Sequence, residues 1–317
     1  MLGMGPARRT EALDFHASRC HVPGMQASPL SRAIRLSFSP DSDDIFMFWA
    51  LLNGKVDTEG LTFVADRADT ETLNTRAESG GAAEADVIAV SIAQYARVAK
   101  HYLLLPHGMS VGRGYGPVVV ALEERSLASL AGRRIGVPGL RTTAYLVLRL
   151  LLAEFEPVVV PIAPYARSFE VLRAGEVDAA LLIHEGRLFY EREGTKKVVD
   201  IGEAWRDATG GLPLPLGGNA IRRDLGPALV EQVSRVCRRS IQWALDHKDE
   251  VARALLAAET REDVGLDAAS LDRYLAMYAN ADTLDAPADV RRALDELFAR
   301  GRKAGLLSND VRAELAP

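Results

Sequence analysis

The 317-residue chain is poor in cysteine, lacks any long apolar run and carries no block of positive charge. Each absence excludes something. Only Cys20 and Cys237 are present, far apart, so no disulfide framework is expected and a reducing compartment fits. A membrane helix needs a run of about eighteen or more apolar residues. The most apolar stretch, Leu146 to Phe155, is broken by Arg149 and Glu154, so no segment is expected to span a bilayer. Basic residues are nearly all arginine, dispersed among acids, and the net charge is -5. That leaves no electrostatic footprint for nucleic acid, and the expected partner is a small molecule. Arg8, Arg9, Glu11, Asp14 and Arg19 interrupt the first thirty residues, where a secretory signal needs a continuous apolar core, and Arg19 spoils a lipoprotein cleavage site at Cys20. Residues 1–30 therefore read as a flexible N-terminal extension, with Met25 an equally good start, and the protein as cytoplasmic.

What is present is a globular composition, 48% hydrophobic and 26% charged, enough for one large domain or two ordinary ones. From residue 31 onward, short β-branched runs alternate with helical patterns, the signature of parallel α/β construction. The strands expected are Ile34–Ser37, Leu61–Ala65, Val87–Val90, Val118–Leu122, Arg134–Val137, Val158–Ile162, Ala179–Ile183, Val198–Ile201 and Asn219–Arg222. Helices are expected to begin near Asp43 and Thr142, and three amphipathic helices near Pro227, Ala268 and Pro287 to pack back on the first lobe. Glycine-rich segments, Pro106 to Pro117 and Gly210 to Gly218, read as crossings between two lobes. The first lobe comprises 31–117 and 217–317, the second 118–216, and the ligand is expected in the cleft between them.

His184 stands where the apolar run Ala179–Ile183 ends, the end of a strand at which open α/β sheets bind ligands. A neutral imidazole there, beside Gly186, suits a general base; the ordinary alternative is a histidine that merely ends a strand. A zinc-protease helix is excluded, because the position four residues on is Leu188. Gly108 to Gly112 matches the nucleophile elbow of serine hydrolases, but no helix follows it. Gly112, Gly114 and Gly116 have the wrong spacing for a dinucleotide site and suit a hinge. At Val137–Thr143 a strand turns into a helix whose first turn offers Thr142, Thr143 and free N–H groups, a natural carboxylate site, although ordinary capping by threonine explains it equally well. Asp41, Asp43 and Asp44 crowd another helix start, more acids than a cap requires. Ser91 puts a hydroxyl at the end of a third strand, where simple capping is again the alternative.

Ser39-Pro40-Asp41-Ser42-Asp43-Asp44-Ile45-Phe46, Gly114-Tyr115-Gly116-Pro117, Ile183-His184-Glu185-Gly186-Arg187 and Gly211-Leu212-Pro213-Leu214-Pro215-Leu216-Gly217-Gly218 occur in an order that resembles the 1,4-dihydroxy-6-naphthoate synthases of the futalosine route to menaquinone. The resemblance runs from about residue 34 to about 225. It implies a two-lobed, type II periplasmic-binding-protein-like α/β fold. It also implies conversion of cyclic dehypoxanthinyl futalosine to 1,4-dihydroxy-6-naphthoate without metal or organic cofactor. By the same resemblance His184 is the proton-abstracting base, Asp44 the first-loop aspartate, and Thr142 or Thr143 the threonine that holds an acidic group; Gly186 and Arg187 join Ser91 as substrate-binding candidates. One departure is visible: the family has asparagine before that aspartate, and this chain has Asp43, an extra carboxylate that disfavours an anionic substrate group nearby. The rival from another class is a noncatalytic solute-binding or sensor protein of the same fold. A sister enzyme acting on chorismate lacks the His184–Arg187 pattern.

Overall fold

The computed structural model describes residues 33–79, 85–258, 266–308 and 311–317. The N-terminal extension, with Cys20 and Met25, lies outside them. In chain order the first elements are β1 (Ile34–Phe38), α1 (Ser42–Leu52), β2 (Phe63–Arg67), α2 (Thr70–Glu78), β3 (Val87–Ser91), α3 (Ile92–Val98), β4 (Tyr102–Leu104) and β5 (Ser110–Gly112). The chain then crosses to a second sheet through β6 (Val118–Ala121), β7 (Arg134–Val137), α4 (Thr143–Leu151), β8 (Glu156–Val159), α5 (Ala166–Arg173), β9 (Ala179–Leu182), β10 (Lys196–Asp200) and α6 (Ile201–Ala208). It returns along β11 (Leu214–Arg222) and finishes in α7 (Pro227–Asp246), α8 (Lys248–Ala257), α9 (Ala268–Tyr278), α10 (Ala281–Leu284) and α11 (Ala288–Lys303).

The first sheet has the order β2-β1-β3-β11-β4, with β5 pairing β11, and the second β10-β6-β9-β7-β8. Neither is purely parallel. β1 runs parallel to β2 and β3, and β7 to β8 and β9, but β11 and β6 run against their neighbours. The reason is positional. The parallel strands end at the cleft, so a strand that enters its sheet from the cleft must run the other way. β6 begins just after the first crossing and β11 just after the second.

The Leu-Pro-Leu-Gly-Gly segment read as a crossing is instead the start of β11, where Leu214 pairs Gly112 and Gly217 pairs both Ser110 and Ser91. The register shifts between Pro215 and Gly217, which accommodates a proline that cannot donate to the ladder. The strand expected at 158–162 lies at 156–159, because Arg134 pairs Glu156 and Val137 pairs Val159.

Ile34, Leu36 and Phe38 pack under Val230, Val233, Val236 and Ile241 of α7, as the apolar stripe of that helix requires. Cys237 is a free, buried cysteine on the same helix. α8 and α9 close over Phe46 of α1 through Val251, Leu255, Leu271 and Leu275. The C-terminal helices do not cover the first lobe alone. α11 also packs against α4, and α9 reaches the short 3-10 turn His184–Leu188 after β9, so the tail of the chain straps both sheets. No helix among the described residues is long and apolar enough to cross a membrane.

Candidate functional site

The ends of β1, β3 and β9, the start of α2 and the start of α4 converge on a cavity of about 730 Å3 of empty space, part of it open to solvent. Its apolar wall includes Leu73, Val90, Pro117, Ile183 and Leu216; its polar wall includes Asp43, Asp44, Thr70, Ser91, Ser110 and His184. This is where the carboxyl ends of parallel strands leave free backbone and side-chain groups.

His184 occupies it in an unusual way. Its φ is 50°, left-handed backbone that histidine tolerates better than bulkier or β-branched residues do. The ring places Nε2 3.1 Å from Thr70 Oγ1, Nδ1 3.4 Å from Asp41 Oδ2 and Nδ1 3.5 Å from the Tyr274 hydroxyl. Burial alone depresses the imidazole, but Asp41, Asp43, Glu185 and Asp44 surround it and more than offset that, so its pKa is raised above the usual histidine value.

The acids are individually tethered. Asp43 accepts hydrogen bonds from Ser110 Oγ at 2.6 Å and from Tyr274 Oη at 3.0 Å. Asp44 accepts from the Ser39 N–H at 2.8 Å. Glu185, fully buried, accepts from both Ser42 N–H and Ser42 Oγ at the start of α1, and Tyr165 Oη reaches Glu185 at 3.1 Å and Asp41 at 3.0 Å. At α4 both threonine hydroxyls are already engaged. Thr142 Oγ1 donates to Gly139 C=O and accepts from Tyr145 N–H, while Thr143 Oγ1 donates to Leu216 C=O and accepts from Ala93 N–H. The donors left at that helix start are the N–H groups of Thr143 and Ala144, which precede the first intrahelical bond, Leu146 N–H to Thr142 C=O. Across the cavity Ser91 Oγ accepts from Asn74 Nδ2 at 3.0 Å, which leaves its hydroxyl hydrogen for a ligand.

A family model described as menaquinone biosynthesis matches residues 34–303. The 1,4-dihydroxy-6-naphthoate synthase of Thermus thermophilus is 39% identical over 280 residues, 88% of this chain and 98% of that enzyme. The chain belongs to this menaquinone-biosynthesis family. A crystal structure of an Archaeoglobus fulgidus protein, 42% identical, covers 87% of this chain and 98% of its own with a TM-score of 0.79. The alkanesulfonate-binding protein of Xanthomonas axonopodis, only 16% identical, matches 89% of this chain and 96% of its own with a TM-score of 0.66, and so shares the fold alone. The two-lobed periplasmic-binding-protein-like fold implied by the sequence resemblance is the fold of this family member.

Of the candidate site residues, His184, Asp44, Thr142, Thr143 and Ser91 line the cavity; Gly186 and Arg187 do not. A Cβ on Gly186 would come within 2.9 Å of the Tyr165 ring, so glycine lets that tyrosine close over the turn. Arg187 points to Asp200, with Nη2 2.8 Å from Oδ2, and sits over the Tyr115 ring, tying the histidine turn to α6 and the first crossing. Asp41 belongs to the acid-crowded helix start singled out in the sequence, whereas Thr70, Glu185, Tyr165 and Tyr274 were not candidates. Thr70 and Tyr165 carry no recognisable spacing, Glu185 sits unremarked beside the histidine, and Tyr274 comes from a helix whose sequence shows only an amphipathic stripe.

The family's asparagine position, Asp43 here, is buried and hydrogen-bonded on both oxygens, and burial first of all raises its pKa. Asp44 is pushed up to about 7, by burial first and by the neighbouring Asp43 second. A carboxyl whose folded-state pKa lies above its unfolded value adds stability at acid pH, and that contribution is lost as pH rises through about 7. Melting temperature is therefore expected to fall between about pH 4 and pH 7. Asp44→Asn keeps an oxygen for the Ser39 N–H and should show a smaller fall. Equal falls in thermal melts of both proteins would remove Asp44 as a source.

Proposed function

We propose that this chain is a lyase-type 1,4-dihydroxy-6-naphthoate synthase that converts cyclic dehypoxanthinyl futalosine to 1,4-dihydroxy-6-naphthoate in menaquinone biosynthesis. The observation that carries the reading is an imidazole of raised basicity, set by acids and hydroxyls at the cavity of a chain that resembles the Thermus synthase over nearly its whole length. His184 Nε2 takes a proton from substrate carbon, the electron pair left behind drives the elimination, and the sugar-derived fragment departs. The chemistry ends in a new aromatic ring, so a positioned base and donors for developing oxygen charge supply what the chain must provide. The Thr143 and Ala144 N–H groups, with Ser91 Oγ, are the donors for the substrate's acidic group, and Asp44 faces its polar part. Lobe limits of 31–117 with 217–317, and 118–216, follow from the two crossings, and a cytoplasmic location suits the substrate. A purely solute-binding role is supported by fold likeness alone, and fold does not set function.

The test is incubation of the purified protein with cyclic dehypoxanthinyl futalosine, with chromatography and mass detection of products. Naphthoate in proportion to enzyme is the expected result. Binding of the compound without product would leave a binding protein.

A further inference from the structure

We propose that Asp41 is the positioning residue for His184, a carboxylate that turns Nδ1–H inward and leaves Nε2 as the proton acceptor at the cavity. The proposal rests on the reading of His184 as the base, and it concerns a residue that this reading does not use.

Asp41 is the N-cap residue of α1, where aspartate ordinarily accepts from the N–H two or three residues on. Here it makes no side-chain cap bond. Its side chain, only 1% exposed, points across to the histidine turn instead, with Oδ2 3.4 Å from Nδ1. Oδ1 accepts from Tyr165 Oη, which also reaches Glu185, so the carboxylate is held in place from its far side. Nδ1 also lies 3.5 Å from the Tyr274 hydroxyl, whose proton is directed to Asp43 at 3.0 Å. Nδ1 therefore faces a carboxylate oxygen at ion-pair distance, one that makes no hydrogen bond of its own among the described residues, and a phenol oxygen whose hydrogen is committed elsewhere. That arrangement places the ring proton on Nδ1. Nε2 faces Thr70 Oγ1 at 3.1 Å, a hydroxyl that lines the cavity and can donate to it until substrate arrives.

When Nε2 takes the substrate proton, the C–H bond breaks, the electron pair stays with the substrate carbon, and the imidazolium so formed lies against Asp41. The aspartate stays ionised and moves no proton. The charged and titratable groups around the ring are Asp41, Asp43 and Asp44 from α1 and the residue before it, Glu185 on its own turn, Tyr165 ahead of α5 and Tyr274 from α9. Asp41 has a carboxylate oxygen at ion-pair distance from the ring.

Asp41→Asn preserves shape and an acceptor for Tyr165 while removing the charge. With substrate, kcat should drop on the order of a hundredfold with KM within about threefold, as expected for a group that acts through the base. The acid limb of kcat/KM should move to lower pH by about one unit, because the basic form of His184 then persists to lower pH. Nitrogen-15 NMR of the histidine rings, with His184→Asn to assign the signal, should show His184 titrating at lower pH in Asp41→Asn and losing its preference for the Nδ1–H tautomer. A purely structural Asp41 would lower the melting temperature and leave both the titration and the acid limb where they were, and that result would overturn the proposal. If the wild type gives no naphthoate, the reaction assignment fails, while the NMR titration still decides the Asp41–His184 coupling on its own.

Discussion

Replacing His184 by asparagine lowers kcat about a thousandfold while the protein folds and still takes up substrate. General-base catalysis is worth roughly a hundred- to ten-thousandfold, and no other imidazole lines the cavity. Asparagine is chosen because φ at this position is 50°, where it is tolerated better than alanine, so loss of turnover is not confounded by backbone strain. KM should stay within a few fold, since Thr143, Ala144 and Ser91 lie on other elements. Steady-state kinetics on His184→Asn, with a thermal melt alongside, checks this; a variant within tenfold of the wild-type rate would take histidine out of the mechanism.

The largest effect on stability is expected at Gly202, which does not line the cavity. A Cβ there would stand 2.1 Å from both the carbonyl carbon and the carbonyl oxygen of Tyr115, and 2.5 Å from the Gly116 nitrogen. These are backbone atoms that cannot rotate away. They belong to the first crossing, which is fixed to α6 by the Ile201 N–H bond to Pro117 C=O. Gly202→Ala is therefore expected to destabilise by about 3 kcal/mol, the upper end of overpacking costs, and to lower the melting temperature by on the order of 8 °C. Gly217→Ala is the matched control, because its added carbon meets nothing closer than Val90 C=O at 3.6 Å. Equal melting temperatures for the two variants would mean that the crossing yields more easily than its contacts imply.

The strands that were legible in the sequence are those with a short run of buried, mostly apolar residues: β1, β3, β6, β7 and β9. β4 and β5 were not, because three residues carry no period, and each is held by its antiparallel pairing with β11. The start of β11 was hidden by Pro215 and Gly217, which read as loop residues and are tolerated through a register shift. At the site, the strand-end rule placed His184 and Ser91, and the helix-start rule placed Thr142 and Thr143. Of the two kinds of donor that helix start offers, the threonine hydroxyls are used within the protein and the backbone N–H groups remain. Three acids before one helix signalled more than capping, but nothing local distinguished Asp44 at the cavity from Asp41 at the histidine. That distinction depends on a turn contributed by the opposite sheet, and Tyr274 on a helix from the last sixth of the chain.

His184 hangs from the second sheet, whereas Asp41, Asp43, Asp44 and Thr70 belong to the first. The Ser42–Glu185 bonds join the same two halves. Were the halves to part, the imidazole would lose the three aspartates, keep only Glu185 beside it and gain water, and its pKa would fall back toward the ordinary histidine value. The base is thus a joint property of the two sheets: one supplies the imidazole and the other most of the carboxylates that make it basic.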